Sequence, residues 1–314
     1  MKKIYIISLF ILAAVFCLDS CKREPIVYAT SNYYLAIDSD PGVSDVGSIY
    51  SVNFYNQSTG SLVYQTFIYA DQHPEGKPRG GYLTGIEPGN YNMLVYSFDS
   101  KSDYIRNENQ YGKVYTDTEV LNYNNGTPII KEPQPLLEWS KETGIPYVTG
   151  KDIHIIYIQP ENVIEKWSVN VSGVKNLDRA QKITFLLSGQ SRGRFIGLNQ
   201  QKLNDKAILS FNGNPEDIIF RTKAEEGELI LVTTYHTFGK LEADQRCLLT
   251  LQIEGPGGMM YYAQEDVTSQ ITDPDNTGHG INMETDIDIE PLKDGGFDPK
   301  ADPWDDEITK IELD

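Results

Sequence analysis

Cysteine is nearly missing from this chain, with three in 314 residues. Two of them, Cys17 and Cys21, lie together near the N-terminus, which leaves Cys247 alone in the remaining length. A lone cysteine closes no intramolecular disulfide, so the fold must be held by buried apolar surface. Histidine is almost as scarce. His73, His154, His236 and His279 are scattered, and none has a partner at metal-ligand spacing such as H-x-x-x-H. No glycine-rich phosphate loop is present. Positive charge is in deficit: 27 Lys and Arg against 45 Asp and Glu give a formal charge of −18. An acidic chain without a basic tract is a poor partner for nucleic acid or for an anionic membrane surface. Sustained helical periodicity is also lacking, and Asn199–Asp205 is the best place for a short helix. No cofactor, resident metal or enzymatic activity is expected from this inventory.

What the sequence does contain is alternation. Tyr50, Val52 and Phe54 interleave with polar positions, as do Trp167, Val169 and Val171. The cleanest case has Ile281, Met283, Thr285, Ile287 and Ile289 on one face and Asn282, Glu284, Asp286, Asp288 and Glu290 on the other. A period of two means half-buried strands. Cys247 joins Leu249, Leu251 and Ile253 on such a face and reads as a small core residue rather than a reactive thiol. Tyr91–Phe98 and Glu228–Tyr235 are more continuously apolar and read as central strands. Turn signals such as Ser58-Thr59-Gly60 and Gly255-Pro256-Gly257-Gly258 separate the runs. Many short strands with frequent turns predict an all-β protein built of β-sandwiches. The Pro-spaced segment Pro128–Pro135 reads as a connector. A boundary near 160 then divides an N-terminal domain, 21–160, from a C-terminal domain, 161–314, with an acidic tail from about 293.

Three patterns invite a functional reading. Gly189-Gln190-Ser191-Arg192-Gly193 matches G-x-S-x-G, the nucleophile elbow, but no helical stripe follows it, so a flexible turn is expected. Asp273, Asp275, Thr277, Gly278 and Glu284 fall at calcium-loop spacing, a weak calcium candidate because the flanks read as strands. Tyrosine is plentiful, with doublets Tyr33-Tyr34 and Tyr261-Tyr262. Together with Trp139 these are the aromatics to inspect for stacking on a glycan, although core filling is the default for such residues in strands.

The N-terminus is a targeting segment. Lys2 and Lys3 precede an apolar run, Ile4–Phe16, that is too short for an ordinary membrane span and fits a signal peptide over 1–20. Leu18-Asp19-Ser20-Cys21 resembles the lipobox of bacterial lipoproteins, and the resemblance implies lipidation of Cys21 after cleavage. Two or three acyl chains hold stably where one does not. Residues 1–20 hold two lysines and one aspartate, so the chain from Cys21 carries a formal charge of −19.

Several segments, taken in order, are similar to the fimbrillin-type lipoproteins of Bacteroidales. They are the lipobox, Glu87-Pro88-Gly89-Asn90-Tyr91 leading into an apolar strand, and Ile158-Gln159-Pro160 leading into Trp167–Gly173. Phe185–Gly189, Asp266–Ile271 with the alternating strand after it, and the closing Gly-Gly-Phe with Trp304-Asp305-Asp306 complete the set. The resemblance implies two tandem transthyretin-like β-sandwich domains. It also implies a lipid-anchored outer-membrane protein, at the cell surface, acting in pilus assembly or adhesion. The partners implied are other fimbrillin-like subunits, joined by strand exchange. Stalk subunits of that family are cut after an Arg beyond the first strand. Here Arg23 adjoins the anchor and the next is Arg79, after two or three strands, so the first strand is expected to stay, as in an anchor or accessory subunit. The alternative expectation is a surface glycan-binding lipoprotein.

Overall fold

The computed structural model describes residues 32–38, 48–98, 103–197, 201–213, 218–219, 230–241 and 246–291. The signal peptide, Cys21 and the acidic tail lie outside the described residues. Most of the described chain is strand, as the alternation predicts, with short 3-10 turns and one short helix, α1 (Thr268–Thr272).

The sheets surround two apolar cores. Around the first, β1 (Tyr33–Ile37) runs parallel to β11 (His154–Ile158) on one side and antiparallel to β4 (Gly80–Leu83) on the other. Facing them is an antiparallel sheet in the order β12 (Glu161–Asn162), β10 (Leu137–Ile145), β5 (Gly89–Ser97), β2 (Ile49–Asn56), β3 (Leu62–Tyr69). Leu35, Ile37, Tyr50, Val52, Phe54, Met93 and Val95 fill the space between.

Around the second core, β17 (Ile218–Ile219), β18 (Ile230–Thr237), β13 (Glu165–Lys175) and β21 (Gly280–Asp288) form one sheet. The other has the order β20 (Met260–Asp266), β19 (Leu248–Glu254), β14 (Lys182–Ser191), β16 (Lys206–Gly213), β9 (Thr127–Lys131), β8 (Val120–Asn124). Trp167, Val169, Val171, Ile281 and Met283 meet Phe185, Leu187, Leu249 and Leu251 across the gap. Phe185, Phe211 and Tyr235 stack in series, with centroids 5.0 Å and 4.3 Å apart. A third small sheet, β15 (Gly193–Phe195), β7 (Tyr115–Thr118), β6 (Asp103–Arg106), completes the set.

Two expectations fail here. Pro128–Pro135 is not a plain connector, because β9 overlaps its first half and pairs parallel with β16 at Ile129–Lys131. Pro128 precedes the first residue paired to β16, so its missing N–H costs no bond on that side. Of Asn199–Asp205, expected in a short helix, the described part, 201–205, is not helical and holds an isolated bridge between Arg194 and Lys202. The expected boundary near 160 falls between β11 and β12, while β8 and β9, before it, share a sheet with β16, after it.

The parity of β13 changes at one residue. Trp167, Val169 and Val171 face the core from odd positions, yet Val174 is also buried. Register against β21 steps from Ser172↔Glu284 to Val174↔Ile287. Gly173, at φ +81, makes the step, and a Cβ there would sit 1.7 Å from the Thr285 carbonyl oxygen. Gly173→Ala should therefore lower stability by more than about 2 kcal/mol. Urea unfolding checks this, with a lower midpoint at an unchanged slope as the expected result.

Candidate functional site

A cleft of about 940 Å³ lies where the two groups of sheets meet. Its floor is the link from β12 into β13. Strand β10 keeps β12 as a partner for only two residue pairs, Leu137↔Asn162 and Glu138↔Glu161. The chain then turns, and the Asn162 carboxamide oxygen accepts the backbone N–H groups of Leu136 (3.3 Å) and Ile164 (3.1 Å). One side chain thus pins the crossing, Ile164 drops into the core, and the cleft opens above.

Each wall comes from a different element. Glu138 and Trp139 are neighbours on β10 and point to opposite faces. Glu138 is 2% exposed and accepts the Gly197 backbone N–H at 3.1 Å. Trp139 is half-buried against the first core. On β13, Trp167 donates its indole N–H to Glu165 at 3.2 Å, and Glu165 pairs with Lys202 at 3.2 Å. Arg194 of β15 reaches the cleft with its Nε buried and without a hydrogen-bond partner. His279 meets the Trp167 ring edge-on, with centroids 4.6 Å apart.

His279 has φ +49, a left-handed conformation that costs a non-glycine residue roughly 1–2 kcal/mol. The preceding loop holds it there. The Asn276 side chain donates to the carbonyls of Gln270 (2.9 Å) and Gly280 (2.7 Å) and accepts the Gly280 N–H (3.0 Å). This loop contains the calcium candidates, and it is an Asx turn instead. Asp273 caps the Asp275 N–H at 2.9 Å, and the residues before it form α1 rather than a strand. Glu284 lies exposed on β21. Asp273, Asp275, Thr277 and Glu284 do not form a metal cluster; among the described residues no three His, Cys, Asp or Glu side chains converge on a common point.

The other expected residues separate as well. Tyr33 and Tyr34 are 8% and 0% exposed and cannot stack on a ligand. Their hydroxyls donate to the carbonyls of Pro146 (2.8 Å) and Pro78 (2.6 Å). Tyr261 is half-buried against the second core and its hydroxyl accepts the Glu290 N–H, whereas Tyr262 is 44% exposed on β20. Trp139 alone of the five aromatics lines the cleft.

Ser191 is no nucleophile elbow. The G-x-S-x-G segment is strand, not a flexible turn. Gly189, at φ +71, shifts the register of β14 against β16 from Leu187↔Leu209 to Gln190↔Ala207. Ser191 is fully buried, its Oγ 2.6 Å from the Gly193 carbonyl and 2.8 Å from that of Leu203. His236 is engaged elsewhere, with Nδ1 3.0 Å from Glu132. Cys247 is fully buried, as the alternation predicts, and burial pushes its thiol up to about 11.

Fold and cleft together define an all-β protein of packed antiparallel and mixed sheets. A crystal structure of a candidate adhesin from Bacteroides ovatus superposes with a TM-score of 0.56 at 17% identity, covering 82% of this chain and 93% of that one. The fimbrial anchor protein Mfa2 from Porphyromonas gingivalis matches at 12% identity, with coverages of 80% and 88% and a TM-score of 0.45. A candidate polysaccharide-binding protein from Bacteroides thetaiotaomicron matches at 9%, with coverages of 80% and 89% and a TM-score of 0.49. At these identities the likeness is one of fold. The structural neighbours thus come from the Bacteroidales adhesin and fimbrial proteins that the sequence resembles. The chain belongs to the family described as domain of unknown function DUF5119, whose model matches residues 20–212. No curated protein matches it.

Ser191→Ala should cost about 1–3 kcal/mol, because a buried hydroxyl donor shared by two carbonyls is lost, although the Gly193 carbonyl still accepts the Leu203 N–H. A fluorophosphonate probe should leave Ser191 unlabelled, and labelling there would overturn the structural assignment. The thiol of Cys247, buried and with its pKa pushed up to about 11, stays protonated at pH 8 and should ignore Ellman's reagent there until the protein is unfolded.

Proposed function

We propose that this chain is a non-enzymatic outer-membrane lipoprotein, anchored through Cys21 and displayed at the cell surface. In this reading it serves as the anchor or an accessory subunit of a fimbrial or adhesive assembly built by strand exchange with fimbrillin-like subunits.

The observation that carries this reading is the seating of β1. All five of its residues are buried, between β11 and β4, and Leu35 and Ile37 enter the first core. Backbone bonds continue past its ends, from the His154 N–H to the Asn32 carbonyl (2.7 Å) and from the Asp38 N–H to the Ile158 carbonyl (2.9 Å). A strand held on both edges leaves, if removed, a groove one strand wide with unpaired backbone on both walls. Such a groove takes a strand from a neighbour through main-chain bonds, with side-chain pockets setting register.

Removal needs a cut between β1 and β2, and residues 38–48 contain neither Arg nor Lys. Arg79 comes only after β3, where its carbonyl accepts the Ile37 N–H (2.8 Å) and its guanidinium pairs with Asp71 (2.9 Å). A chain that keeps β1 has its own groove filled. It cannot accept a neighbour's strand there, so it ends a series of subunits, which is the place of an anchor or accessory subunit.

The test is N-terminal mass spectrometry of the protein recovered from outer membranes of its host. The expected mature form begins at an acylated Cys21 and yields the peptide containing Tyr33–Ile37. Cys21→Ser should move the protein from the detergent phase to the aqueous phase. A surface form beginning beyond Ile37 would overturn the anchor reading and make the chain a stalk subunit.

A further inference from the structure

We propose that the cleft between the two groups of sheets is a binding site for a neutral glycan, a function separate from subunit assembly.

Its size falls within the range of sites that enclose small ligands or a few sugar rings. Both tryptophans among the described residues, Trp139 and Trp167, border this one space, while the third, Trp304, lies outside them. Trp167 is only 6% exposed and backs the wall, so Trp139, which is half-buried, is the indole that offers rigid apolar area at low entropic cost to the C–H face of a pyranose. Apart from them the lining is mostly polar and charged. Sugar hydroxyls come in vicinal pairs, and planar groups with two hydrogen-bonding atoms match such pairs. The cleft supplies a carboxylate in Glu161, which is exposed, and a guanidinium in Arg194. The Nε of Arg194 is buried and unpartnered, and a donor removed from water without an acceptor costs on the order of 1–3 kcal/mol. A ligand hydroxyl provides the missing acceptor.

The walls are set before any ligand arrives. Trp167 is fixed by Glu165, which is itself held by Lys202, and His279 is locked against the indole edge by the Asn276 loop. Strain kept in place by surrounding bonds is the usual accompaniment of a preorganised site.

Charge selects among glycans. Glu138, Glu161 and Glu165 line the cleft against Lys166 and Arg194, with Glu165 paired to Lys202, and the chain as a whole carries −18. Sialylated or sulfated chains would approach against that field. A neutral sugar has no such barrier.

The experiment presents the purified full chain to an array of neutral oligosaccharides based on mannose, galactose and N-acetylglucosamine. Sialylated and sulfated arms and a panel of extended peptides accompany them, and hits are titrated by indole fluorescence. The expected result is binding of at least one neutral oligosaccharide, weakened about tenfold by Trp139→Ala and by Arg194→Gln and unchanged by Tyr262→Ala on β20. Because Trp139 also packs on the first core, Glu161→Gln, at an exposed position, serves as the variant that leaves folding intact and should weaken the same ligand several-fold. The proposal is overturned if no neutral oligosaccharide binds, if only the anionic arms or the peptides bind, or if Arg194→Gln and Glu161→Gln both leave affinity unchanged.

Discussion

The structure depends on two strands, β2 and β5, being covered on both faces. Val52 and Phe54 of β2 and Met93 and Val95 of β5 face the first core, and from the opposite face Tyr55, Leu94 and Tyr96 join the second. The sheet they belong to is therefore a shared wall. Tyr111 and Val114, carried between β6 and β7, pack on its far side. Two polar groups on that side are met in place, the Asn53 amide donating to the Ser51 hydroxyl at 3.0 Å and the Tyr96 hydroxyl donating to Glu108, whereas the Asn53 Oδ1 and the Tyr55 hydroxyl are buried without a partner. Burial, reinforced by Glu108, pushes the Tyr96 phenol well up, so it remains a donor at any physiological pH. A one-residue slip in either strand would exchange the side chains that face the two cores, so register is specified from both sides at once.

That shared wall also fixes the cleft. β10 hangs on β5 along its whole length, through eight residue pairs, but keeps β12 for only two. β10 thus remains rigidly attached to the first core while the chain leaves it for the second. The space between is defined by two bodies that a common sheet holds in a constant relation. A site built on strands in this way is more finely positioned than one built on loops.

The alternating strands were legible in the sequence because a half-buried strand writes its environment every second residue. β21 is read correctly in this way, and Cys247, Leu249, Leu251 and Ile253 do share a core face, although Leu248 and Thr250 on the other face are buried too. β18 is interior to its sheet, between β17 and β13, as its apolar run predicts, but its burial alternates, with Thr234 exposed, instead of being complete on both faces. The tyrosine doublets misled for a reason that period two itself contains. Adjacent residues of a strand point to opposite faces, so a doublet cannot offer two rings to one surface. Tyr261 and Tyr262 divide inward and outward, while Tyr33 and Tyr34 are both buried because β1 has cover on each side. The cleft was not legible beyond Trp139. Arg194, Trp167 and His279 come from segments far apart in the chain, and no local spacing joins them. The glycine of G-x-S-x-G was a true signal with another meaning, a register shift that turns Gln190 inward to accept the Thr237 hydroxyl at 2.8 Å.

The filled groove and the open cleft make complementary demands on one chain. A subunit that ends a polymer has no need of an acceptor groove, and keeping β1 closes the first core at no cost in function. The same closure keeps the β10 sheet intact behind Trp139, since Leu35 and Ile37 of β1 pack on the core that Trp139 borders. Loss of β1 would loosen that backing and with it one wall of the cleft. Retention of the first strand and integrity of the proposed glycan site are thus linked through a single apolar core. An anchor or accessory subunit can carry such a site, whereas a stalk subunit would have to wait for a neighbour's strand to rebuild it.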